Sequence, residues 1–185
     1  MNNGASSYRR FLAGDDNGIV NIIKEYKDGL ILYLNSFTSN IFTAEDLMED
    51  TFVKLVIKKP HFSGKSSFKT WLYAIGRNVA IDYLRHKSRI SDTPLEEYNN
   101  SSHDENELEK SYIQEERKII VHQALNKLKT EYRQVLYLVY FEDFNNSEAA
   151  VVMKKSKRQI ENLVYRAKQS LKSELEKEGF IYEEL

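Results

Sequence analysis

The chain contains no cysteine, which excludes disulfides, thiol nucleophiles and cysteine-based zinc sites. Its seven glycines form neither a phosphate-binding loop nor a nucleophile elbow. The two prolines, Pro60 and Pro94, each follow a helical stretch. No apolar run approaches the length needed to span a bilayer, and no signal peptide opens the chain. The expectation is a soluble, cytoplasmic protein with no membrane insertion. The four histidines, His61, His86, His103 and His122, lack metal-ligand spacing. Glu45, Asp46, Glu49 and Asp50 form an ordinary acidic first turn of a helix, not a metal cluster. These absences leave nothing to support catalysis: no catalytic residue, no metal and no cofactor are expected.

Charge is balanced overall, with 27 Lys and Arg against 28 Asp and Glu, so the average predicts no polyanionic partner. Its distribution does. From Lys54 to Ile90 the basic residues include Lys54, Lys58, Lys59, Lys65, Lys69, Arg77, Arg85, Lys87 and Arg89, opposed only by Asp82. From Ala149 to Ser173 they include Lys154, Lys155, Lys157, Arg158, Arg166, Lys168 and Lys172, opposed only by Glu161. Between them lie Glu96, Glu97, Asp104, Glu105, Glu107, Glu109, Glu115 and Glu116. Two basic blocks with an acidic spacer point to nucleic acid.

The apolar spacing is helical throughout. Residues 1–16 are short and polar and carry no signal. Ile19, Ile22, Ile23, Tyr26, Leu30, Tyr33, Leu34 and Phe37 repeat at three and four and predict a helix over 17–37, weakened at Gly29. Thr43-x-x-Asp46 predicts a capped start for a second helix, whose buried side is Ala44, Leu47, Met48, Thr51, Phe52 and Leu55. Its other side gathers Asp46, Glu49, Asp50, Val53 and Ile57, an acidic and aliphatic surface suited to docking a protein. After the basic loop 61–67, residues 68–89 predict a third helix with Phe68, Leu72, Ile75, Val79 and Tyr83 as its core stripe. Thr70, Arg77, Asn78 and Arg85 fall on its opposite side. Trp71, at the stripe's edge, is placed either in the core or against an unpaired base. Residues 91–110 have a linker composition.

Beyond the linker, helices are expected over 112–128 and 130–141. Asn145-x-x-Glu148 forms a capping box for a short helix, Asn146–Met153. A break at Lys154 and Lys155 follows, with Ser156 capping a last helix that buries Ile160, Leu163, Val164, Ala167 and Leu171. A short capped helix, a three-residue turn and a longer helix with a polar face describe a helix-turn-helix. Arg158, Gln159 and Asn162 lie near the start of its second helix, where side chains reach base edges. Lys155, Lys157 and Lys168 suit phosphates.

The chain also resembles a family. Ala44-Glu45-Asp46-Leu47, Thr51-Phe52, Ser67-Phe68-Lys69-Thr70-Trp71-Leu72-Tyr73-Ala74-Ile75 and Arg77-Asn78-Val79-Ala80-Ile81-Asp82-Tyr83-Leu84-Arg85 are similar to region 2 of bacterial sigma factors of the extracytoplasmic-function type. Ala124-Leu125, Leu128, Tyr140-Phe141-Glu142-Asp143, Glu148-Ala149-Ala150 and Tyr165-Arg166-Ala167 are similar to region 4. The resemblance implies an all-α chain of two small helical domains: region 2 over 1–92, an acidic flexible linker over 93–111, and region 4 over 112–185.

It implies a factor that directs RNA polymerase core to promoters and assists DNA opening. Asp46, Glu49, Asp50 and Val53 match the surface that docks on the beta-prime clamp helices, and the beta subunit is a further contact. Phe62, Lys65, Trp71, Arg77, Asn78 and Arg85 match the minus-ten surface. Ser156, Lys157, Arg158, Gln159, Asn162 and Arg166 match the minus-thirty-five reader. Promoter DNA is the other partner, and an anti-sigma factor of the kind that commonly regulates the family is a third. Four positions depart from the pattern: Glu49 stands for the usual Gln, Lys129 for Pro, Lys154 for the turn Gly, and Glu161 for Lys. The alternative reading is a stand-alone helix-turn-helix regulator with an N-terminal sensor or dimerisation domain.

Overall fold

The computed structural model describes residues 3–90 and 116–177. The expected linker, 93–111, lies outside them, as do the first residues of the helix expected from 112. Among the described residues there are eight α-helices, one π-helical turn and no strands. The N-terminal set is α1 (Asn3–Leu12), α2 (Asn17–Thr38), α3 (Ile41–Lys58) and α4 (Phe68–Ile90). The C-terminal set is α5 (Glu116–Asn126), α6 (Thr130–Leu136), the π-helical turn Tyr137–Phe141, α7 (Asn146–Met153) and α8 (Lys157–Lys177).

The polar N-terminus holds more than its composition suggested. Tyr8 and Phe11 on α1 are buried, and Tyr8 packs on Phe68 and Trp71 at ring-centroid distances of 5.7 and 5.3 Å. Two aromatic residues three apart are too few to raise a periodic signal in so short a segment. The start of α3 also differs from expectation. Asn40 is the cap, its side chain accepting from the Thr43 amide at 2.8 Å, so the helix begins one turn before the expected Thr43 box. Gly76 lets α4 approach α2, since a Cβ there would lie 3.0 Å from Leu30 Cδ1.

In the C-terminal set the Asn145–Glu148 capping box forms as expected, with both reciprocal bonds present. Lys154 takes the left-handed conformation at φ 54°, a strain that the usual glycine would avoid. Lys129, at φ −55° and ψ 141°, holds a backbone shape that proline would also accept. The helix expected over 130–141 is α-helical only to Leu136 and widens into the π turn. There Tyr137 packs on buried His122, and their Oη and Nδ1 atoms are in contact.

The two sets share one core. Helix α7 lies against α4, and α6 and the π turn lie against α2. That packing corrects the reading of α4. Its fully buried positions are Phe68, Thr70, Leu72, Tyr73, Gly76 and Ala80, whereas Ile75, Val79 and Tyr83 are half-buried at the core's margin. Thr70, expected on an outward face, is buried and donates to Glu148 Oε1 on α7 at 3.4 Å. A one-sided stripe failed here because the first half of α4 is covered on two sides.

Candidate functional site

Three surfaces gather the residues singled out above. The first is the outer face of α3. Asp46, Glu49, Asp50 and Val53 are all exposed, with Val53 at 50% and Ile57 at 69%. The aliphatics lie one and two helical turns beyond the carboxylates, so the face is apolar at one end and acidic at the other. Between α3 and the second half of α4 runs an open groove of about 500 Å³, lined by Asp50, Val53, Ile57, Val79, Tyr83 and His86 among others. Val79 and Tyr83 thus line a surface groove as well as the margin of the core.

The second surface is α4 and the loop before it. Lys65 and Arg85 are exposed, and Arg85 lies 3.8 Å from Asp82. Asn78 is half-buried. Phe62 and Trp71 sit in an aromatic cluster, 5.1 Å from each other and 5.6 and 5.4 Å from Phe68. Trp71 is therefore held between rings on its inner side, with only part of its surface turned to solvent. Arg77 is also half-buried. Its Nε and the Tyr33 hydroxyl are buried without hydrogen-bond partners among the described residues. Burial pushes the Tyr33 phenol upward, and the nearby Arg77 guanidinium partly opposes it.

The third surface is the polar face of α8. Ser156, Lys157, Arg158, Gln159, Asn162 and Arg166 are all exposed. Ser156 and Gln159 close a second reciprocal box: the Ser156 amide donates to Gln159 Oε1 at 2.7 Å, and the Gln159 amide donates to Ser156 Oγ at 3.2 Å. Gln159 thus spends its acceptor on the helix start and keeps its amide donor for a partner. Lys155, read from sequence as a phosphate contact, pairs with Glu131 at 2.9 Å. Lys168 lies over the Tyr140 ring at 5.7 Å. Tyr165 joins the face at 67% exposure, one helical repeat of seven beyond Arg158.

Sequence reasoning missed a fourth constellation, where the two helical sets meet. Glu142, just after the π turn, accepts from Tyr73 Oη at 2.6 Å and lies 2.8 Å from Lys69 Nζ. The same Nζ donates to the Glu142 carbonyl at 2.7 Å and lies over the rings of Tyr73 and Phe144. Burial first, and the Glu142 carboxylate second, hold the Tyr73 phenol well above its ordinary range, so it remains a donor. Nearby, buried Arg133 donates from Nε to the Ser36 carbonyl at 3.1 Å, close to the negative end of α2. The available signal was Gly29. The helix α2 continues through it without a break. A Cβ there would lie 2.3 Å from Glu142 Oε1 and 2.7 Å from Tyr73 Oη.

Among the described residues no group of acidic or histidine side chains could hold a metal, and no helix is long and apolar enough to cross a membrane. Comparison with known proteins gives two family matches, Sigma-70 region 2 over residues 22–90 and Sigma-70, region 4 over residues 118–171. The chain is 32% identical over 155 residues to ECF RNA polymerase sigma factor SigM of Bacillus subtilis, covering 82% of this chain and 91% of that protein. It is 28% identical over 160 residues to RNA polymerase sigma factor YlaC of the same species, covering 86% and 92%. In fold it is similar to CnrH, solved in complex with the cytosolic domain of CnrY, with a TM-score of 0.65 at 21% identity over 94% of this chain and 95% of that one. It is also similar to sigma factor RpoE of Bartonella quintana, solved with the anti-sigma factor NepR, with a TM-score of 0.61 at 24% identity over 84% and 97%.

Proposed function

The chain belongs to the sigma-70 family of RNA polymerase sigma factors, in its ECF branch, and from that premise we propose which of its surfaces serve each step of promoter-directed initiation. As a sigma factor it binds RNA polymerase core and promoter DNA and directs the one to the other. The stand-alone regulator is not favoured, because both sigma regions are present in order and a sensor domain has no need of region 2. Region 2 takes residues 1–92 and region 4 takes 112–185.

The exposed face of Asp46, Glu49, Asp50 and Val53, with the groove beside it, docks the beta-prime clamp helices. Carboxylates supply long-range attraction, and the aliphatic end supplies area to bury. The α8 face reads duplex DNA at the minus-thirty-five element, with Arg158 and Asn162 toward base edges and Lys157 and Arg166 toward phosphate. Ser156 and Gln159 fix the start of that helix, and the free Gln159 donor adds a contact. Lys65, Asn78 and Arg85 engage the opened minus-ten strand, with Arg77 beside them. The exposed edges of Phe62 and Trp71 border that path and offer a base somewhere to stack.

Opening requires no covalent chemistry. A surface that binds unpaired bases more tightly than paired ones shifts the melting equilibrium by its differential affinity alone. The chain acts with polymerase in the cytoplasm, and an anti-sigma factor is a further partner, as RpoE of Bartonella quintana has in its solved complex.

The observation that carries this reading is the simultaneous exposure of the α3 and α8 faces on one chain. The test is run-off transcription with core polymerase and this protein on promoters mapped after induced expression. A promoter-dependent transcript is expected. Sequence-specific duplex binding by the free protein, with no transcript when polymerase is added, would favour the regulator. Charge reversal at Asp46 and Asp50 together should weaken core pull-down while leaving duplex binding by α8 intact. Unchanged pull-down would remove the docking assignment.

A further inference from the structure

Helices α7 and α8 both begin in a reciprocal box, but with different residues at the third helical position. On α7 that residue is Glu148, whose Oε2 accepts from the Asn145 amide at 3.1 Å. On α8 it is Gln159, whose Oε1 accepts from the Ser156 amide at 2.7 Å while its own backbone amide donates to Ser156 Oγ at 3.2 Å. The box needs only an acceptor, and a carboxylate supplies one while also suiting the positive end of the helix. What glutamine adds is a pair of N–H donors on Nε2 that the box does not use. Gln159 is exposed, and so are Asn162 and Arg166, three and seven positions on along the same face.

The orientation of that amide decides which base it can read. In the major groove adenine offers the N7 acceptor and the N6 donor, and an unrestrained glutamine matches them with Nε2 and Oε1. Guanine offers two acceptors, N7 and O6, thymine offers O4, and cytosine offers only the N4 donor. With Oε1 turned to the Ser156 amide, the side chain presents donors alone. Guanine then meets a donor at each acceptor, whereas the adenine N6 donor finds no acceptor. Reading adenine through two bonds would require releasing the Ser156 amide, which the helix start would otherwise leave without a partner.

We propose that Gln159 is a guanine-selecting residue of α8, made so by the Ser156 box: it prefers guanine over adenine at one base pair of the duplex. The proposal rests on the reading of α8 as the duplex-binding face; the box itself does not.

The test takes the full chain with RNA polymerase core and a promoter mapped after induced expression. Each pair of the minus-thirty-five element is replaced by the other three, and competitive binding is measured. Gln159→Ala identifies the pair that Gln159 reads, as the one whose base ranking changes. There wild type should favour guanine over adenine by about tenfold, the scale of one well-matched base contact. Gln159→Glu keeps an acceptor for the Ser156 amide and exchanges the donors for a second acceptor. Its ranking at that pair should turn to cytosine, whose N4 donates, with guanine falling about tenfold below it. Ratios are taken within each variant, so general repulsion of the carboxylate by phosphate cancels. The thermal midpoint of Gln159→Glu should match wild type; a lowered one would mean that the box does not hold residue 159 by its oxygen, and would overturn the proposal. Any base but guanine favoured by wild type, guanine still favoured by Gln159→Glu, or no ranking changed by Gln159→Ala overturns it too. If Arg158→Ala and Asn162→Ala also leave every ranking unchanged, the reading of α8 falls with it. If either alters a ranking, that reading stands and only the role of Gln159 is lost.

Discussion

Helices α4 and α8 are the two long basic helices of the chain, of 23 and 21 residues, and the structure treats them differently. Helix α8 buries Ile160, Ala167 and Leu175 and leaves its polar face exposed. Helix α4 is enclosed on two sides through its first three turns, and its polar residues are exposed mainly beyond Ala80. One helix presents an exposed polar face along its length. The other shares its surface with α7, which packs on it. Basic charge at helical spacing thus does not tell whether the face that carries it is exposed or packed against a neighbour.

That contrast can be tested by substitution. Phe68→Ala should have the largest effect, because Phe68 is fully buried and touches Tyr8, Tyr26, Phe62 and Trp71. A loss of about 3–5 kcal/mol in denaturant unfolding is expected. A loss below about 1 kcal/mol would mean that α4 is not held as described.

Arg158→Ala should leave stability unchanged and cost about 1–3 kcal/mol of discrimination between promoter and mismatched duplex. Equal weakening on all sequences would reduce Arg158 to a phosphate contact. Asn145→Ala removes the α7 cap, and a loss of about 1 kcal/mol in thermal unfolding is expected. No change would show that α7 is held by α4 and α8 alone. Lys154→Gly should be the smallest effect, a gain of up to about 1 kcal/mol from relief of the positive φ. A loss would show that the lysine compensates for its strain through its side chain.

The legible part of the molecule was local. The Asn145–Glu148 box, the left-handed Lys154 and the polar face of α8 depend on residues within one or two turns, so the sequence carries their whole cause. The exposed acidic and aliphatic face of α3 was legible for the same reason. What escaped depends on distant partners. Thr70 reads as an outward polar residue until Glu148, 78 positions away, lies beside it. Arg133 and Glu142 look like surface charges until Ser36, Lys69 and Tyr73 are brought to them. The position of Trp71 at the edge of the stripe fits both core and base stacking, and the structure seats its inner side among three aromatic rings. The cap of α3 was misplaced because Asn40 and Thr43 are both competent, and only backbone geometry chooses Asn40.

Gly29 carries one last implication, for descent rather than for energy. Glu142 fills the space beside Gly29, so position 29 cannot gain a side chain while position 142 keeps its length. A lineage that acquires a side chain at 29 must shorten the residue at 142. Across related sigma factors the two positions should therefore change together, with glycine accompanying glutamate.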